Sequence, residues 1–192
     1  MTKNLDISII SPIYNEVENI DPFIKSVEET MSAQNWSWEL ILIDDGSNDG
    51  SLEKLKSISK EKTNIRVLAL SKNFGQTPAI QAGFDNANGK HYVTLDSDLQ
   101  NDPKDIPLII NKLIHEDLDL VVGWRKKRKD NFFMRNLPSM IANNLIGMIT
   151  KVKLNDYGCS LKAYNSEILK EVKLYGEMHR FIPAWMATKI PP

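Results

Sequence analysis

Apolar runs of strand length recur along the first two thirds of the chain and alternate with segments of helical periodicity. The runs are rich in branched residues, which predicts β-strands. They occupy residues 7–10, 40–43, 67–70, 92–95 and 118–123. Strand–helix repetition at this spacing favours right-handed crossovers. We therefore predict an α/β fold in a single domain, with a mostly parallel sheet and helices on both faces.

The helical segments between these runs begin at recognisable caps. A short polar side chain at the first turn, often followed by proline, is typical of a helix start. The predicted caps are Asp21, Asp49 or Ser51, Thr77 and Asp102. We expect the third helix to run to Asn88 and to end at Gly89, because glycine is common just after a helix.

The pattern changes after residue 124, where a run of five cations covers residues 125–129. No repeat or flexible linker follows, so the second part of the chain is expected to belong to the same domain. Its predicted elements are a helix at 132–150 interrupted by Pro138, a turn at 155–159, a strand at 160–164, a short helix capped by Asn165 and a last helix at 175–189.

Composition and charge exclude several classes of protein. The chain has 192 residues and a net charge of −1, which argues against bulk binding of nucleic acid. Its single cysteine, Cys159, excludes an internal disulfide, suits a reducing compartment and is expected to be a small buried residue. The sequence shows neither a signal-peptide core nor an apolar run of the roughly 20 residues that span a bilayer. We therefore expect a soluble, cytoplasmic chain.

Polar clusters follow four of the predicted strands. They are residues 12–16, 44–47, 72–75 and 96–100, with the sequences Pro-Ile-Tyr-Asn-Glu, Asp-Asp-Gly-Ser, Lys-Asn-Phe-Gly and Asp-Ser-Asp-Leu-Gln. In open α/β sheets, ligands bind in the crevice outside the carboxyl ends of the strands. These clusters therefore predict one polar crevice that contains several carboxylates.

Asp96 and Asp98 are the candidate metal ligands. Alternate side chains of an extended segment point the same way, so both carboxylates can face one cation. Hard oxygen ligands suit Mg²⁺ or Mn²⁺, which also bind substrate phosphates. Gln100 adds a carbonyl oxygen if the extended backbone persists. A lone Asp-x-Asp is equally typical of a strand end and a helix cap, and the three other polar strand ends favour the metal.

The other crevice residues each admit a structural and a functional interpretation. Asp45 could satisfy loop amides in a turn, whereas Asp44 could bind a base or a ribose. Glu16 is either a first-turn acid favoured by the helix dipole or a ligand of a ribose hydroxyl. Lys72 is either solvated or paired with a metal-bound diphosphate. Tyr14 is either a core residue or a stacking surface for a base.

Glycine-rich phosphate motifs are absent from the sequence. It contains neither Gly-x-Gly-x-x-Gly nor Gly-x-x-x-x-Gly-Lys-[Ser/Thr], which argues against a dinucleotide enzyme and a P-loop NTPase. A phosphate bound without a glycine cradle needs its charge met by a cation and by side chains. The Asp-x-Asp pair implies such a cation.

The ordered set of motifs resembles the inverting, GT-A-fold (Rossmann-like) glycosyltransferases of family two. Within that family it is similar to the polyprenyl-phosphate branch, which includes dolichyl-phosphate mannose synthases and bacterial undecaprenyl-phosphate glycosyltransferases. The matching segments cover nearly the whole chain and are specific as a set. They are residues 12–16, 44–47, 72–75, Gly83, 96–100 with Pro103, 123–125 and 156–159.

This resemblance implies a UDP- or GDP-linked sugar donor, a lipid phosphate acceptor and a Mg²⁺ or Mn²⁺ ion held by Asp96, Asp98 and Gln100. Asp156 is implied either as a base or as the residue that orients the sugar, and the second role is favoured because a phosphate acceptor is already ionised. The implied acceptor residues are Arg125, Arg135 and Ser139. The implied donor residues are Pro12, Tyr14, Asn15, Glu16, Asp44, Asp45, Lys72, Gly75, Ser97 and Arg180, the last within a motif at residues 179–181.

The expected function is inverting transfer of a hexose from the nucleotide sugar to dolichyl or undecaprenyl phosphate. The cation would stabilise charge on the leaving diphosphate, and arginines would position the acceptor phosphate through bidentate contacts. Two alternatives stay open. One is a family-two transferase with a polysaccharide or other soluble acceptor, and the other is a non-catalytic protein that binds sugar nucleotides.

The cation run at residues 125–129 adds a membrane surface to the expected partners. It is either a solvated loop or a contact with anionic lipid headgroups, and a nucleic-acid patch is disfavoured because no aromatic residue interrupts it. We expect residues 1–192 to form one catalytic domain at the cytoplasmic face of a membrane. Many relatives continue into transmembrane helices, so the C-terminal part of the family pattern is expected to lie outside this chain.

Overall fold

The computed structural model of the chain describes residues 5–125, 154, 156–169, 173, 174, 176 and 178–189. The strands are β1 (Leu5–Ile13), β2 (Trp38–Asp44), β3 (Ile65–Ala69), β4 (Gly89–Thr94), β5 (Leu120–Val122) and β6 (Lys162–Asn165). The helices are α1 (Ile20–Ser32), α2 (Ser51–Glu61), α3 (Gln76–Asn86), α4 (Ile106–His115), α5 (Ser166–Leu169) and α6 (Ile182–Lys189). Short 3-10 turns cover Pro103–Asp105 and Met178–Arg180.

The described strands form a six-stranded sheet in the order β3-β2-β1-β4-β6-β5. β1 pairs in parallel with β2 and β4, and β2 pairs in parallel with β3. β6 runs antiparallel to β4 and β5, so its first residue, Lys162, stands opposite Thr94 and Val122 at the carboxyl ends of those strands. The predicted mostly parallel sheet is confirmed, while the reversed direction of β6 was not predicted.

Helices cover both faces of the sheet, as the sequence predicted. Successive side chains of a strand point to opposite faces, so Ile9 of β1 packs on one side and Ile10 on the other. The Ile9 side is covered by α1, α2 and α4 through apolar residues such as Phe23, Leu55 and Ile110. The Ile10 side is covered by α3, α5 and α6. Burial of apolar surface on both sides stabilises the sheet that carries the loops.

The predicted helix starts at Asp102 and Ser51 are confirmed. Asp102 and Asp49 each accept a bond from the backbone N–H two residues on, at 3.0 and 2.9 Å respectively. The predicted start at Asp21 is wrong, because α1 begins one residue earlier at Ile20. Asp21 instead forms an ion pair with Lys54 of α2, with 2.7 Å between the charged atoms.

The predicted role of Gly89 as a helix end is wrong. α3 begins at Gln76, one residue before the predicted Thr77, and ends at Asn86 with an extended residue after it. Gly89 begins β4 instead, where an added Cβ would lie 2.5 Å from the backbone nitrogen of Ser8. Close approach of β4 to β1 therefore requires glycine at this position.

The last part of the chain, where it is described, contains the predicted strand, short helix and buried cysteine. Cys159 is buried, and Asn165 accepts a hydrogen bond from the Glu167 N–H at 3.1 Å just before α5. The last helix is shorter than predicted and starts at Ile182. No helix in the described segments is long and apolar enough to cross a bilayer. The predicted helix at 132–150 lies outside them, as does the cation run beyond residue 125.

Candidate active site

The loops after β1, β2, β3 and β4 enclose a crevice of about 300 Å³ at the carboxyl edge of the sheet. All four predicted polar clusters contribute to it, because the carboxyl ends of parallel strands meet at one edge. The lining residues are Pro12, Ile13, Tyr14, Glu16, Asp45, Asn73, Gly75, Gln76, Asp96, Ser97 and Asp98.

Hydrogen bonds tie the loop after β1 to the loop after β2. Asn15 has a left-handed backbone with φ 55°, and its N–H donates to Ser47 Oγ at 3.0 Å. The Asn15 Oδ1 accepts a bond from the Asn48 N–H at 2.9 Å. Glu16 lines the crevice, and its carboxylate accepts a hydrogen bond from Asn19 Nδ2. Asn15 is therefore a loop-fixing residue that stands outside the crevice lining.

Asp44 and Asp45 both satisfy loop amides, but only Asp45 faces the crevice. Asp44 is fully buried, and its Oδ2 accepts bonds from the backbone N–H groups two and three residues on, both at 3.2 Å. Its Oδ1 has no hydrogen-bond partner among the described residues. Asp45 accepts bonds from the N–H groups of Phe74 and Gly75, both at 2.8 Å. Asp45 therefore fixes the loop after β3 against the loop after β2.

The loop after β3 packs directly on Gly46. An added Cβ at Gly46, which has φ 71°, would lie 2.4 Å from the Lys72 carbonyl carbon, so glycine is required. The Lys72 ammonium lies 5.2 Å from the centre of the Phe74 ring and does not line the crevice. Lys72 therefore lies outside the crevice lining, and its predicted pairing with a diphosphate stays a prediction.

Asp96 and Asp98 line the crevice on either side of Ser97. Gln76 Nε2 donates to Asp96 Oδ1 at 2.7 Å, which fixes the orientation of that carboxylate. Burial raises the pKa of Asp96 above its usual value, and the charge of Asp98 adds to this effect. A cation bound between the two carboxylates would favour the ionised form of both.

The residues present fit a divalent cation that also takes ligands from its substrate. Among the described residues, no group of three or more His, Cys, Asp or Glu side chains is placed to hold a metal ion. Leu99 has φ 58°, so the extended backbone ends there, and the Gln100 N–H turns back to donate to Asp98 Oδ1 at 3.0 Å. Gln100 is exposed and outside the lining, so the extended backbone required for its predicted metal contact is not present. Mg²⁺ and Mn²⁺ commonly complete their coordination with water and phosphate oxygens.

A second cluster of charges lies beside Asp96, at the ends of β5 and β6. Arg125 donates to Asp156 through Nε at 2.9 Å and Nη2 at 3.2 Å, which is a bidentate ion pair. The buried Asp156 also accepts a bond from the Gly158 N–H at 3.1 Å. Against the effect of burial, the hydrogen bond and charge of Asp156 raise the pKa of Arg125. The predicted acceptor residue and sugar-orienting residue therefore hold each other.

Lys162 adds a buried cation to this cluster. It is 4% exposed, and its ammonium donates to the backbone oxygen of His179 at 3.4 Å. His179 Nδ1 lies 2.6 Å from Thr77 Oγ1, which joins the Met178–Arg180 turn to the first turn of α3. Burial lowers the pKa of Lys162 to about 8, although nearby negative groups, Asp96 among them, act in the opposite direction.

The structure gathers many of the predicted donor and metal residues in the crevice and leaves other predicted site residues outside it. Those in the crevice lining are Pro12, Tyr14, Glu16, Asp45, Gly75, Asp96, Ser97 and Asp98. Those outside the lining are Asn15, Asp44, Lys72, Gln100, Arg125 and Asp156. Arg135, Ser139 and the side chain of Arg180 lie outside the described part of the chain.

Sequence reasoning missed Gln76 and Lys162. Gln76 directly follows the predicted cluster at 72–75, so extending that cluster by one residue would have included it. Lys162 interrupts the otherwise apolar run at 161–164. Because lysine is seldom fully buried, a lysine inside a predicted strand is a signal that the sequence offers.

The chain is similar in sequence to two transferases. Over 190 residues the chain is 52% identical to the dodecaprenyl-phosphate galacturonate synthase of Rhizobium johnstonii, covering 98% of the chain and 56% of the relative. Over 192 residues it is 38% identical to the undecaprenyl-phosphate 4-deoxy-4-formamido-L-arabinose transferase of Salmonella choleraesuis, covering 96% and 58%. The chain thus spans a little over half the length of these relatives.

Solved structures support the GT-A fold. The mannosyltransferase of Pyrobaculum calidifontis in complex with GDP-Man and Mn²⁺ has a TM-score of 0.62 at 17% identity, with 91% of this chain and 48% of that chain covered. The glucosyl-3-phosphoglycerate synthase of Mycobacterium tuberculosis with Mn²⁺, UDP-glucose and glycerol 3-phosphate has a TM-score of 0.66 at 20% identity, covering 88% and 59%. The family model described as "Glycosyl transferase family 2" matches residues 8–173, and the chain belongs to that family.

Proposed function

We propose that this chain is the catalytic part of a glycosyltransferase that moves a sugar from a nucleotide diphosphosugar to polyprenyl phosphate with inversion. The observation that carries the proposal is the position of the Asp96–Asp98 crevice beside the Arg125–Asp156 pair at one edge of the sheet. The crevice suits a diphosphate bound through a cation, and the arginine suits a phosphate acceptor. The names of both relatives contain a polyprenyl phosphate, which supports the same acceptor class.

Asp96 and Asp98 would hold Mg²⁺ or Mn²⁺, which when bound neutralises the charge that develops on the leaving diphosphate. Gln76 keeps the Asp96 carboxylate in one orientation. Mn²⁺ in the two structural neighbours supports the choice of ion. Tyr14, 45% exposed at the crevice, offers a ring face to the nucleobase, and Glu16 offers a carboxylate to the ribose.

The acceptor phosphate would bind on the Arg125 side of the site. Arg125 uses Nε and Nη2 for Asp156, which leaves Nη1 for a second anion. A phosphate monoester is already largely dianionic at neutral pH, so it needs positioning more than a base. Asp156, fixed by Arg125 and Gly158, therefore suits the orientation of the sugar. Trp124, 54% exposed beside Arg125, is a residue type favoured at membrane interfaces, and Arg135 and Ser139 remain predicted acceptor residues.

The relatives' names suggest two sugars for the donor. Galacturonate carries a carboxylate on its ring, whereas 4-deoxy-4-formamido-L-arabinose carries a neutral amide. A part of the site that binds galacturonate would need a positive charge, whereas one that binds the formamido sugar would not.

Calorimetric titration with UDP- and GDP-sugars, with and without Mn²⁺, tests the donor half of the proposal. We expect one nucleotide to bind, with an affinity that falls at least 10-fold when the metal is chelated. Turnover of that donor with polyprenyl phosphate, using the longest natural form of the chain, tests the acceptor half. Donor binding without turnover would indicate a non-catalytic binding protein, and turnover with a soluble acceptor alone would overturn the acceptor assignment.

A further inference from the structure

Lys162 is a buried cation that lacks a matching anion. Its side chain is 4% exposed, and the bond to the His179 backbone oxygen is long, at 3.4 Å. In the described part of the chain no carboxylate oxygen lies within 4.0 Å of its ammonium. A buried charge is costly unless it is paired, so such a lysine is uncommon in a site that serves stability alone.

The sheet places Lys162 between the two halves of the site. β6 lies between β4 and β5, and Lys162 stands opposite Thr94 and Val122. Asp96 follows Thr94 by two residues, and Arg125 follows Val122 by three. The donor diphosphate is proposed to bind at Asp96 and the acceptor phosphate near Arg125. The transferred sugar would then lie between them, next to Lys162 at the first residue of β6.

The carboxylates near Lys162 interact, or are proposed to interact, with other cations. Asp156 is held by Arg125 in a bidentate pair, and Asp96 is the proposed metal ligand together with Asp98. With a divalent cation between Asp96 and Asp98, Lys162 is the cation of this cluster that has no paired carboxylate among the described residues. An anionic substituent on the sugar would balance it, whereas a neutral sugar would leave it unpaired.

We propose that Lys162 selects the donor by binding a carboxylate on the transferred sugar, so that the substrate class is a nucleotide-linked uronic acid. This inference rests on the proposed function and goes beyond it by naming the sugar class and the residue. The diphosphate is a less suitable partner, because Lys162 does not line the crevice that Asp96, Ser97 and Asp98 form. The weak contact with His179 is readily exchanged for a charge-assisted hydrogen bond.

Matched pairs of nucleotide sugars test the inference, because their members differ only at C6 of the sugar, which is a carboxylate in one and a hydroxymethyl group in the other. Calorimetry with Mn²⁺ would compare UDP-galacturonate with UDP-galactose, and GDP-mannuronate with GDP-mannose. We expect the wild type to bind the uronate of one pair about 10- to 100-fold more tightly, the range expected for a hydrogen bond to a charged group. Lys162→Met should abolish that preference and leave the affinity for the neutral sugar within about 2-fold.

Lys112→Met is the matched control, because Lys112 forms an exposed ion pair with Glu116 on α4. It should keep the full uronate preference. A wild type without preference, a preference that survives in Lys162→Met, or an equal loss for both members of a pair would each overturn the inference. The wild-type comparison decides even if Lys162→Met and a second variant, Lys162→Gln, both fail to fold. A wild type that binds neither UDP- nor GDP-sugars would refute the proposed function itself.

Discussion

The crevice that contains Asp96 and Asp98, called here the donor crevice, and the charge cluster of Arg125, Asp156 and Lys162 are held together by different interactions. In the crevice, side chains bond to backbone amides: Asp45 holds the N–H groups of Phe74 and Gly75, and Asn15 bonds to the next loop. In the charge cluster, Arg125 bonds to the side chain of Asp156, and Lys162 has little to bond to. Hydrogen bonds between its own loops fix the crevice. The charge cluster, in contrast, contains a cation that a bound anionic ligand would neutralise.

This difference predicts that a change in the crevice affects ligands more than folding. Asp98→Asn keeps the side-chain shape and removes one charge from the proposed metal site. We expect Mn²⁺-dependent nucleotide affinity to fall at least 100-fold and turnover by roughly three orders of magnitude, because stabilisation of the leaving diphosphate is lost. Calorimetry and a turnover assay measure both effects, and thermal unfolding should be nearly unchanged. Wild-type affinity for nucleotide and Mn²⁺ in this variant would show that the metal assignment is wrong.

A change in the charge cluster should affect folding more. Arg125→Ala leaves Asp156, whose side chain is 5% exposed, without its bidentate partner. We expect a loss of about 3 kcal/mol in the free energy of unfolding, because the buried carboxylate loses the cation that balances its charge. Urea denaturation measures the loss.

Arg125→Lys is the matched variant, because it keeps the charge and loses the bidentate geometry. It should recover part of the stability but little of the use of polyprenyl phosphate. If Arg125→Ala unfolds like the wild type, the pair contributes nothing to folding, and the contrast between the two regions fails.

The smallest expected effect is a pH dependence that belongs to Lys162. Its pKa is about 8 in the folded chain against an ordinary value of 10.5, so between these values the unfolded chain binds a proton that the folded chain lacks. Stability from this group is therefore lowest below pH 8 and rises as the pH increases toward 10.5. Relative to Lys162→Met, the wild type should gain about 1 kcal/mol between pH 7 and pH 9 in urea denaturation. Parallel curves for the two proteins would show that Lys162 is not titrating in this range.

The sequence predicted the crevice better than the charge cluster, and the reason is the range of the interactions. Strand ends and turn chemistry are local, so Asp96, Asp98 and the cap at Asp102 were placed correctly. Gln100 lies outside the crevice lining because a single left-handed residue, Leu99, ends the extended segment, and its role as a metal ligand stays a prediction. Nothing in the alternation of polar and apolar residues specifies that φ.

Non-local pairing explains the other misses. Gly89 has the sequence appearance of a helix end, but the approach of Ser8, about 80 residues earlier, determines its role. Lys162 lies beside Asp96 and Arg125 because β6 is placed between β4 and β5. The periodicity of apolar residues does not predict that strand order. The sequence shows that Lys162 stands alone in an apolar run, but it does not show which residues surround Lys162 in the fold.

The place of β6 in the sheet also has a consequence for how the chain folds. β5 is synthesised well before β6. Among the described strands, β5 pairs with β6, so it cannot form its hydrogen bonds in the sheet until residues 162–165 have been synthesised. β1 to β4 lie earlier in the chain than residues 162–165, and segments that are synthesised first can pair first. We therefore expect β1 to β4 and the donor crevice to form first, and the Arg125 side to become ordered only when the antiparallel strand inserts. A nascent chain would therefore form the crevice at Asp96 and Asp98 before the charge cluster at Arg125, Asp156 and Lys162.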